Sequence, residues 1–590
     1  MPDFGPQIVS ILTRDDSCFG RLVFVREFSH TLKRILANFG VLVWVHCDQS
    51  RKPVQLSFWF CASFGAEQTR VSTHCKAFGQ GFNIQFENTP VKKMIANRNS
   101  VNPDPSIFKA YDIRGVTGRT LTNNVLYSVG YQLGLLTLAS GQRTFIAGRD
   151  GRLSGPALCA ALADGVCAAG VNVIDIGQVT TPMLYFATYE LGTGSGAAIT
   201  GSHNPPEYNG LKMMVGGKTL YGEAIQSLYR SICDEFARLD TLLDEASVQK
   251  TKRAPAVSSD QLQRGSITTF DIREAYVSRI VGDVKLARPM KIAVDCGNGV
   301  AGAFAPELFS RLGCEVAPLY CEVDGNFPNH HPDPADPNNL QDLIKVVQES
   351  DCEVGLAFDG DGDRLGVVTK TGSIIWPDRQ LMLFARDVLS RNPGGEVIFD
   401  VKCSRHVGRV IEEAGGKATM YKTGHSLIKD KLRETGAPLA GEMSGHVFFK
   451  ERWYGFDDGL YAAARLLEIL SREPIQLDDR QCSSGPSALL ESLPNSPSTP
   501  ELKLECAEGE NFSIVRGLQE GAYFEQATHV ITIDGVRAEY EDGFGLARPS
   551  NTTPVVVIRF EADNEVALRR IQAEFRKAFE AVRPGLALPF

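Results

Sequence analysis

The chain has 590 residues, 43% hydrophobic and 22% charged, with a formal net charge of −9. That is apolar material for several cores, about four by the usual length per domain, and an acidic balance that argues against non-specific nucleic-acid binding. No window approaches the roughly 18 uninterrupted apolar residues of a membrane span, the N-terminus lacks the order of a secretory signal, and the 14 cysteines show neither a CxxC pair nor zinc spacing; reduced thiols and a cytoplasmic location are the expectation.

Residues 1–93 read differently from the rest. They hold 11 Lys and Arg against 7 Asp and Glu, and stretches such as VQLSFWFCASFG show no clean helical or strand period. Met94 is the first methionine after Met1 and opens MIANRNSVNPDPSIFKAYDIRG. Residues 1–93 are therefore expected to be a poorly ordered extension or upstream sequence from a misassigned start, with a small accessory domain as the alternative. FKAYDIRGVTG then supplies Tyr111 and Arg114 near the start of the regular pattern.

From here the chain repeats a grammar three times. One unit runs from RTFIAGRDGRLSG through GVNVIDIGQVTTPMLYFAT to GSGAAITGSHNP. The second runs from MKIAVDCGNGVAGAFAPELF to CEVGLAFDGDGDR, and the third from GEVIFDVKCSRHVGRVIEE to APLAGEMSGHVFF. Each opens with an apolar strand, turns through Gly or Ser, and continues as helix, strand, helix and strand. That is βαβαβ grammar, so three similar α/β domains are predicted, with ligands beyond the carboxyl ends of the strands. Polar, Pro-interrupted segments at about 245–265 and 481–502 read as linkers. The piece from about 497, ending VVVIRFEADNEVALRRIQAEFRKAF, reads as a separate α+β domain. The predicted limits are 94–250, 256–371, 372–480 and 497–590.

The first strand-end loop, ITGSHNPPEYNGLKMM, sets Ser202 beside His203. Adjacent residues of an extended chain face opposite ways, and there is no GxSxG elbow, so a hydrolase pair is disfavoured. Ser202 reads better as a phosphate carrier, with Lys212 as a nearby cation or proton carrier; the bland alternative is a Gly-Ser-Asn-Pro turn.

The second loop, LAFDGDGDRLG, places Asp359, Asp361 and Asp363 at alternate positions after an apolar strand, followed by Arg364. Three carboxylates this close call for a hard cation, Mg²⁺ or Ca²⁺. An EF-hand fails because Arg364 and Lys370 stand where Gly and Glu are required. Mg²⁺ beside an arginine suggests phosphate chemistry.

DVKCS then supplies Lys402 and YKTGHS supplies His425. GEMSGHVFF alternates Glu442, Ser444 and His446, which on an extended segment would share one face suited to a polyhydroxyl ligand. ARPSNTTPVV gathers Arg548, Ser550, Asn551, Thr552 and Thr553 before a strand, a donor set for phosphate, with an ordinary turn as the alternative.

The ordered motifs AYDIRG, TGSHNPPEYNGLK, DGDGDR, GEMSGH and RPSNTTP resemble the α-D-phosphohexomutase family over about 101–590, most closely its bacterial phosphomannomutase/phosphoglucomutase branch. The resemblance implies four domains around a central cleft and reversible interconversion of hexose 6-phosphate and hexose 1-phosphate, of mannose or glucose. It implies that Ser202, as phosphoserine, passes its phosphoryl group to the sugar phosphate through a hexose 1,6-bisphosphate, which also acts as activator. It implies one Mg²⁺ per chain, on Asp359, Asp361, Asp363 and a phosphate oxygen on Ser202. Arg114, Lys212 and His446 would serve acid–base or charge-stabilising roles. Glu442 and Ser444 would bind ring hydroxyls, and Arg548, Ser550, Asn551 and Thr552 the non-transferring phosphate. Tyr111, Arg364, Lys402 and His425 would line the cleft. The expected partners are small sugar phosphates, with neither nucleic acid nor membrane, and the chain is expected to be a monomer or a dimer. Two alternatives stand beside this reading. A phosphoglucosamine mutase usually has Gln where Met443 stands. A haloacid-dehalogenase-type phosphatase would use Asp359 as nucleophile, but usually has Thr or Val where Gly362 stands.

Overall fold

A computed structural model of the chain describes residues 42–48, 55–61, 71–76, 102–248, 264–475, 484–551 and 553–590. The chain divides into two compact units, Met1–Val101 and Asn102–Phe590. In the first unit, strands Leu42–Asp48, Gln55–Cys61 and Val71–Lys76 pair antiparallel into a sheet. The sequence hides these strands because QLSFWFC sets apolar residues at successive positions and erases the alternation that marks a half-buried strand. The expected poorly ordered extension otherwise falls outside the described residues.

The second unit contains three sheets on one plan. In the first, parallel strands Asn172–Gln178, Thr144–Arg149 and Gly196–Ile199 lie side by side, and Tyr208–Val215 returns antiparallel. The second sheet repeats this with Cys314–Leu319, Met290–Asp295, Val354–Phe358 and the returning Leu365–Thr369. The third does so with Lys417–Tyr421, Glu396–Asp400, Leu439–Gly441 and the returning Val447–Phe449. Parallel neighbours require crossovers, and helices such as Gly155–Ala168 and Thr181–Glu190 supply them. The fold is thus the predicted set of three similar α/β domains, each extended by an antiparallel strand. The return to that strand turns at residues 200–207, 359–364 and 442–446, the three loops singled out in the sequence. Ile267–Thr269, assigned by sequence to the second domain, pairs instead with Asn172–Gln178 at the edge of the first sheet. Three residues between polar stretches carry too little pattern to reveal that pairing.

Helices Thr181–Glu190 and Gly459–Leu470 are buried on nearly every side, which lets one apolar cluster run through all three domains. Thr180 Oγ1 accepts from Met183 N (3.3 Å) and Asp458 Oδ1 from Tyr461 N (3.0 Å), capping their free N–H groups. Phe186 stacks on Trp453 at 5.9 Å between centroids, and Trp453 stacks on Tyr461 at 4.2 Å. The domains therefore share a core, and the loops they carry are held at fixed mutual positions.

The fourth domain is a five-stranded antiparallel sheet, with helices Glu510–Gly521 and Glu565–Val582 packed against it and a core of its own. Arg537 joins it to the third domain: its guanidinium lies 3.6 Å from the Phe544 ring centroid and donates to the carbonyls of Val401 (2.5 Å) and Cys403 (2.7 Å). The segment 481–502 is not a linker throughout. Pro486–Glu491 is helical, Leu490 and Leu493 are buried, and Arg379 donates to the Leu493 carbonyl at 2.9 Å. A few leucines among Ser and Pro suffice to anchor it. Among the described residues no helix is long and apolar enough to cross a membrane.

Candidate active site

The serine loop and the aspartate loop meet face to face. Ser202 Oγ donates to Asp359 Oδ2 at 3.3 Å, although 157 residues separate them. A Cβ at Gly360 would overlap the Ser202 carbonyl oxygen, so glycine there permits the approach. Gly362 turns the chain with φ +75°, and its N–H donates to the Asp359 carbonyl at 3.1 Å. The turn brings carboxylate oxygens of Asp359, Asp361 and Asp363 within 4.8 Å of one another, all buried.

Lys212 lies on the returning strand beside the serine loop, its ammonium between two of these carboxylates: it donates to Asp361 Oδ2 at 2.8 Å and to Asp363 Oδ2. Burial works against its charge, yet Asp361 and Asp363 together hold its pKa well above the ordinary lysine value. Burial and the neighbouring carboxylates push Asp359 well above the usual carboxylate range. Asp363 is also buried, but Lys212 and His446 hold it well below that range. Thr181, at the start of the buried helix, donates Oγ1 to Asp361 Oδ2 at 2.6 Å and its N–H to the Asp361 carbonyl at 3.0 Å. Asp361 Oδ1 and Asp363 Oδ1 are buried without a hydrogen bond. Three buried hard-oxygen carboxylates, with Asp361 Oδ1 left without a partner, fit Mg²⁺, and these residues form an acidic metal-binding site.

Ser202 and His203 do not point apart. Ser202 has φ +49°, a left-handed conformation rare outside glycine, and its Oγ lies 3.3 Å from His203 Nδ1. The extended chain assumed from sequence is absent. Burial, reinforced by Arg364 and Arg114, nevertheless holds the His203 pKa well below its ordinary value, so the ring is a poor acceptor for the serine proton. Arg114 reaches the same loop through Asn204 Oδ1 (3.0 Å) and pairs with Asp112.

Glu442, Ser444 and His446 converge, but through a turn rather than an extended face: the Glu442 and Gly445 N–H groups close it on the carbonyls of His446 and Glu442. His446 Nδ1 lies 2.8 Å from Ser444 Oγ and 3.2 Å from Glu442 Oε2, and its Nε2 lies 3.4 Å from Asp363 Oδ1. Burial opposes the imidazolium, but Asp363 prevails and raises its pKa to about 9. Arg364 packs alongside, its backbone bridged to that of His446. His425 stacks on His446 at 5.5 Å, and Asp457 and Lys429 flank it, with Lys429 Nζ 2.8 Å from Asp457 Oδ1. Burial, with Lys429 beside it, lowers the His425 pKa.

A second cluster lies where the first, third and fourth domains meet. Tyr111 OH donates to the Thr423 carbonyl at 2.9 Å and accepts from Asn551 Nδ2. Burial raises its pKa. Arg548 Nε donates to Asp534 Oδ2 (3.0 Å), which also accepts from Thr423 N at 3.0 Å. Ser550 Oγ lies 3.0 Å from Thr553 Oγ1. Thr552 falls outside the described residues. Lys402 Nζ donates to Glu501 Oε1 at 2.6 Å. Glu442 links the clusters, because its Oε1 accepts from Gly424 N at 2.6 Å.

Sequence reasoning missed several members of the site. Asp457 and Lys429 organise the histidines, Asp534 orients Arg548, and Thr181 grips the aspartate loop. His331 donates Nε2 to the His203 carbonyl, and Arg152 sits under the serine loop. Arg152 and His331 lie in GRDGR and NFPNHHPDP, loops that follow strands, and that position was the available signal.

Comparison with known proteins agrees with this fold. Residues 105–238, 274–372, 376–483 and 501–578 match, in order, phosphoglucomutase/phosphomannomutase alpha/beta/alpha domains I, II and III and the C-terminal domain. The chain is 55% identical over 484 residues to a phosphoglucomutase of Neisseria gonorrhoeae, covering 82% of this chain and 98% of that protein. It is 52% identical over 485 residues to a phosphomannomutase/phosphoglucomutase of Pseudomonas aeruginosa, with the same coverage. A crystal structure of a phosphoglucomutase/phosphomannomutase family protein from Burkholderia thailandensis superposes with a TM-score of 0.73 at 55% identity, over 82% of this chain and 100% of that one.

Proposed function

The chain belongs to the phosphoglucomutase/phosphomannomutase family and is a hexose-phosphate mutase, and from that premise we propose that Ser202 carries the phosphoryl group between the O6 and O1 ends of a mannose or glucose phosphate. The observation that carries this reading is the Ser202 Oγ–Asp359 Oδ2 contact of 3.3 Å, which sets the hydroxyl on the rim of the metal-binding carboxylates. Mg²⁺, held by Asp359, Asp361, Asp363 and an oxygen of the phosphate on Ser202, would neutralise charge on the transferring group.

The forward half-reaction breaks the bond between phosphorus and Ser202 Oγ and forms one to the free hydroxyl oxygen of the sugar phosphate; the proton which that hydroxyl loses balances the one Ser202 Oγ takes up. The departing Oγ gains negative charge, and Lys212, a buried cation on the same carboxylate cluster, is placed to stabilise it. His446 holds a proton at neutral pH on a raised pKa of about 9, which suits a general acid or charge stabiliser. Arg114 steadies the loop through Asn204. The resulting 1,6-bisphosphate turns around and returns its other phosphoryl group to Ser202.

Reorientation needs one site that grips whichever phosphate is not being transferred. Arg548, Ser550, Asn551 and Thr552 serve that role in this reading, with Lys402 and Tyr111 bordering it. Glu442 and Ser444 bind the ring hydroxyls, while His425 and Arg364 complete the wall. The fourth domain opens and closes over the turning intermediate. A cytoplasmic monomer acting on small sugar phosphates fits this chemistry. The test compares turnover of mannose 1-phosphate, glucose 1-phosphate and glucosamine 1-phosphate with Mg²⁺ and a trace of glucose 1,6-bisphosphate. Turnover led by the first two is expected; a dominant rate on the amino sugar would overturn the assignment.

A further inference from the structure

The serine loop has a support that never reaches the cleft. Arg152 follows the strand Thr144–Arg149 and is one of the largest fully buried side chains of the molecule. All five of its guanidinium N–H groups have partners. Nη2 donates to the carbonyls of Ser202 (2.8 Å) and Asn204 (2.5 Å). Nη1 donates to those of Pro205 (2.6 Å) and Tyr208 (2.9 Å). Nε pairs with Asp150 Oδ2 at 3.2 Å, and the same oxygen accepts from Gly201 N at 3.2 Å. Phe327, from the second domain, covers the guanidinium at 5.1 Å.

This is an unusual use of a buried cation. Apart from Asp150 its partners are four backbone carbonyls of one loop, so the side chain acts as an internal template for residues 202–208. A loop with φ +49° at Ser202 does not hold that shape through regular backbone pairing. Besides the guanidinium, its local restraints at the serine are the Thr200 Oγ1 contact to Ser202 N (2.8 Å) and the side-chain contacts to His203 and Asp359, both at 3.3 Å. Lysine presents three donors from one point and cannot span four carbonyls, whereas the planar fork can.

We propose that Arg152 is the positioning residue of the phosphoryl carrier: it fixes Ser202 in its left-handed conformation, in line for transfer, without touching the sugar phosphate. The proposal rests on the reading of Ser202 as the carrier. In-line transfer is steeply sensitive to placement, a shift of about 1 Å costing on the order of 100-fold, so the effect belongs in the transfer rate and not in substrate affinity.

The test uses the full chain with Mg²⁺, loaded with ³²P from labelled glucose 1,6-bisphosphate. Label transfer to glucose 1-phosphate is followed by rapid quench in the parent and in Arg152→Lys and Arg152→Ala. Transfer is expected to slow by about 100-fold in both variants, with KM within about threefold of the parent. Millimolar methylguanidinium should restore transfer in Arg152→Ala about tenfold, which a merely destabilised fold would not show. Transfer within about threefold of the parent, or a loss confined to KM, overturns the role of Arg152. If both variants fail to fold, Asp150→Asn decides: a transfer rate about tenfold lower at unchanged KM supports the proposal, and an unchanged rate overturns it. Label found elsewhere than Ser202 in the parent overturns the carrier reading itself; label on Ser202 with undisturbed transfer in the variants overturns Arg152 alone.

Discussion

Replacing Lys212 by methionine tests the electrostatics of the site with little change in side-chain length. Its ammonium contacts Asp361 Oδ2 at 2.8 Å and also Asp363, and all three side chains are almost fully buried. Removing it leaves a carboxylate cluster without its nearest cation. Breaking a buried ion pair costs about 3–5 kcal/mol, so Lys212→Met should lower metal-free stability by that order. Mg²⁺ should respond in the opposite sense. Two charges about 4 Å apart interact by about 4 kcal/mol at an effective dielectric of 20, and Lys212 repels any cation at the carboxylates. Discounted for screening, its loss should tighten Mg²⁺ binding by about 10- to 100-fold. Calorimetric titration of the dephosphorylated protein with Mg²⁺, beside thermal melts with and without chelator, reads both effects. Turnover should nevertheless fall, because the charge on departing Ser202 Oγ loses one of the buried cations of the site. A Lys212→Met protein that binds Mg²⁺ more weakly, or melts unchanged in chelator, would refute this reasoning.

Tyr111→Phe removes the hydroxyl that joins Thr423 and Asn551. One such hydrogen bond is worth about 1 kcal/mol, so KM for glucose 1-phosphate should rise about fivefold in steady-state kinetics while the fold is retained. Asp458, buried beneath Tyr276 OH (2.8 Å), has its pKa pushed from 3.8 to about 7 by burial. A carboxyl with a raised folded pKa contributes stability fully below its unfolded pKa and loses it as pH rises through the folded one. The melting temperature of the parent relative to Asp458→Asn should therefore fall between pH 4 and 7 and level off above, and a flat difference would count against the shift. Phe186→Ala opens the aromatic cluster shared by three domains and should cost about 3–5 kcal/mol in denaturant unfolding.

Much of this was legible in the sequence because strand-end loops carry dense polar signals. Asp359, Asp361 and Asp363 at alternate positions after an apolar strand mark a cation site in the sequence alone, and the three βαβαβ units are visible there as repeats. What sequence did not reveal depends on distance along the chain or on backbone shape. Asp457 and Asp534 act through contacts with residues remote in sequence, and Lys429, one helical turn after His425, is set by its pairing with Asp457. Glu442, Ser444 and His446 converge through a turn whose backbone bonds no alternation rule describes. Ser202 approaches His203 because its φ is positive, a conformation that residue type alone does not predict. Ile267–Thr269 joins the first sheet by a pairing too short to leave a pattern.

The identity of the phosphoryl carrier is tested most directly by equilibrating the purified protein with Mg²⁺ and labelled glucose 1,6-bisphosphate, then mapping the phosphate by peptide mass spectrometry under mildly acidic conditions that preserve acyl phosphates. Phosphate on Ser202, absent from Ser202→Ala together with most turnover, is the predicted result. An acyl phosphate on Asp359, or full turnover in Ser202→Ala, would contradict it.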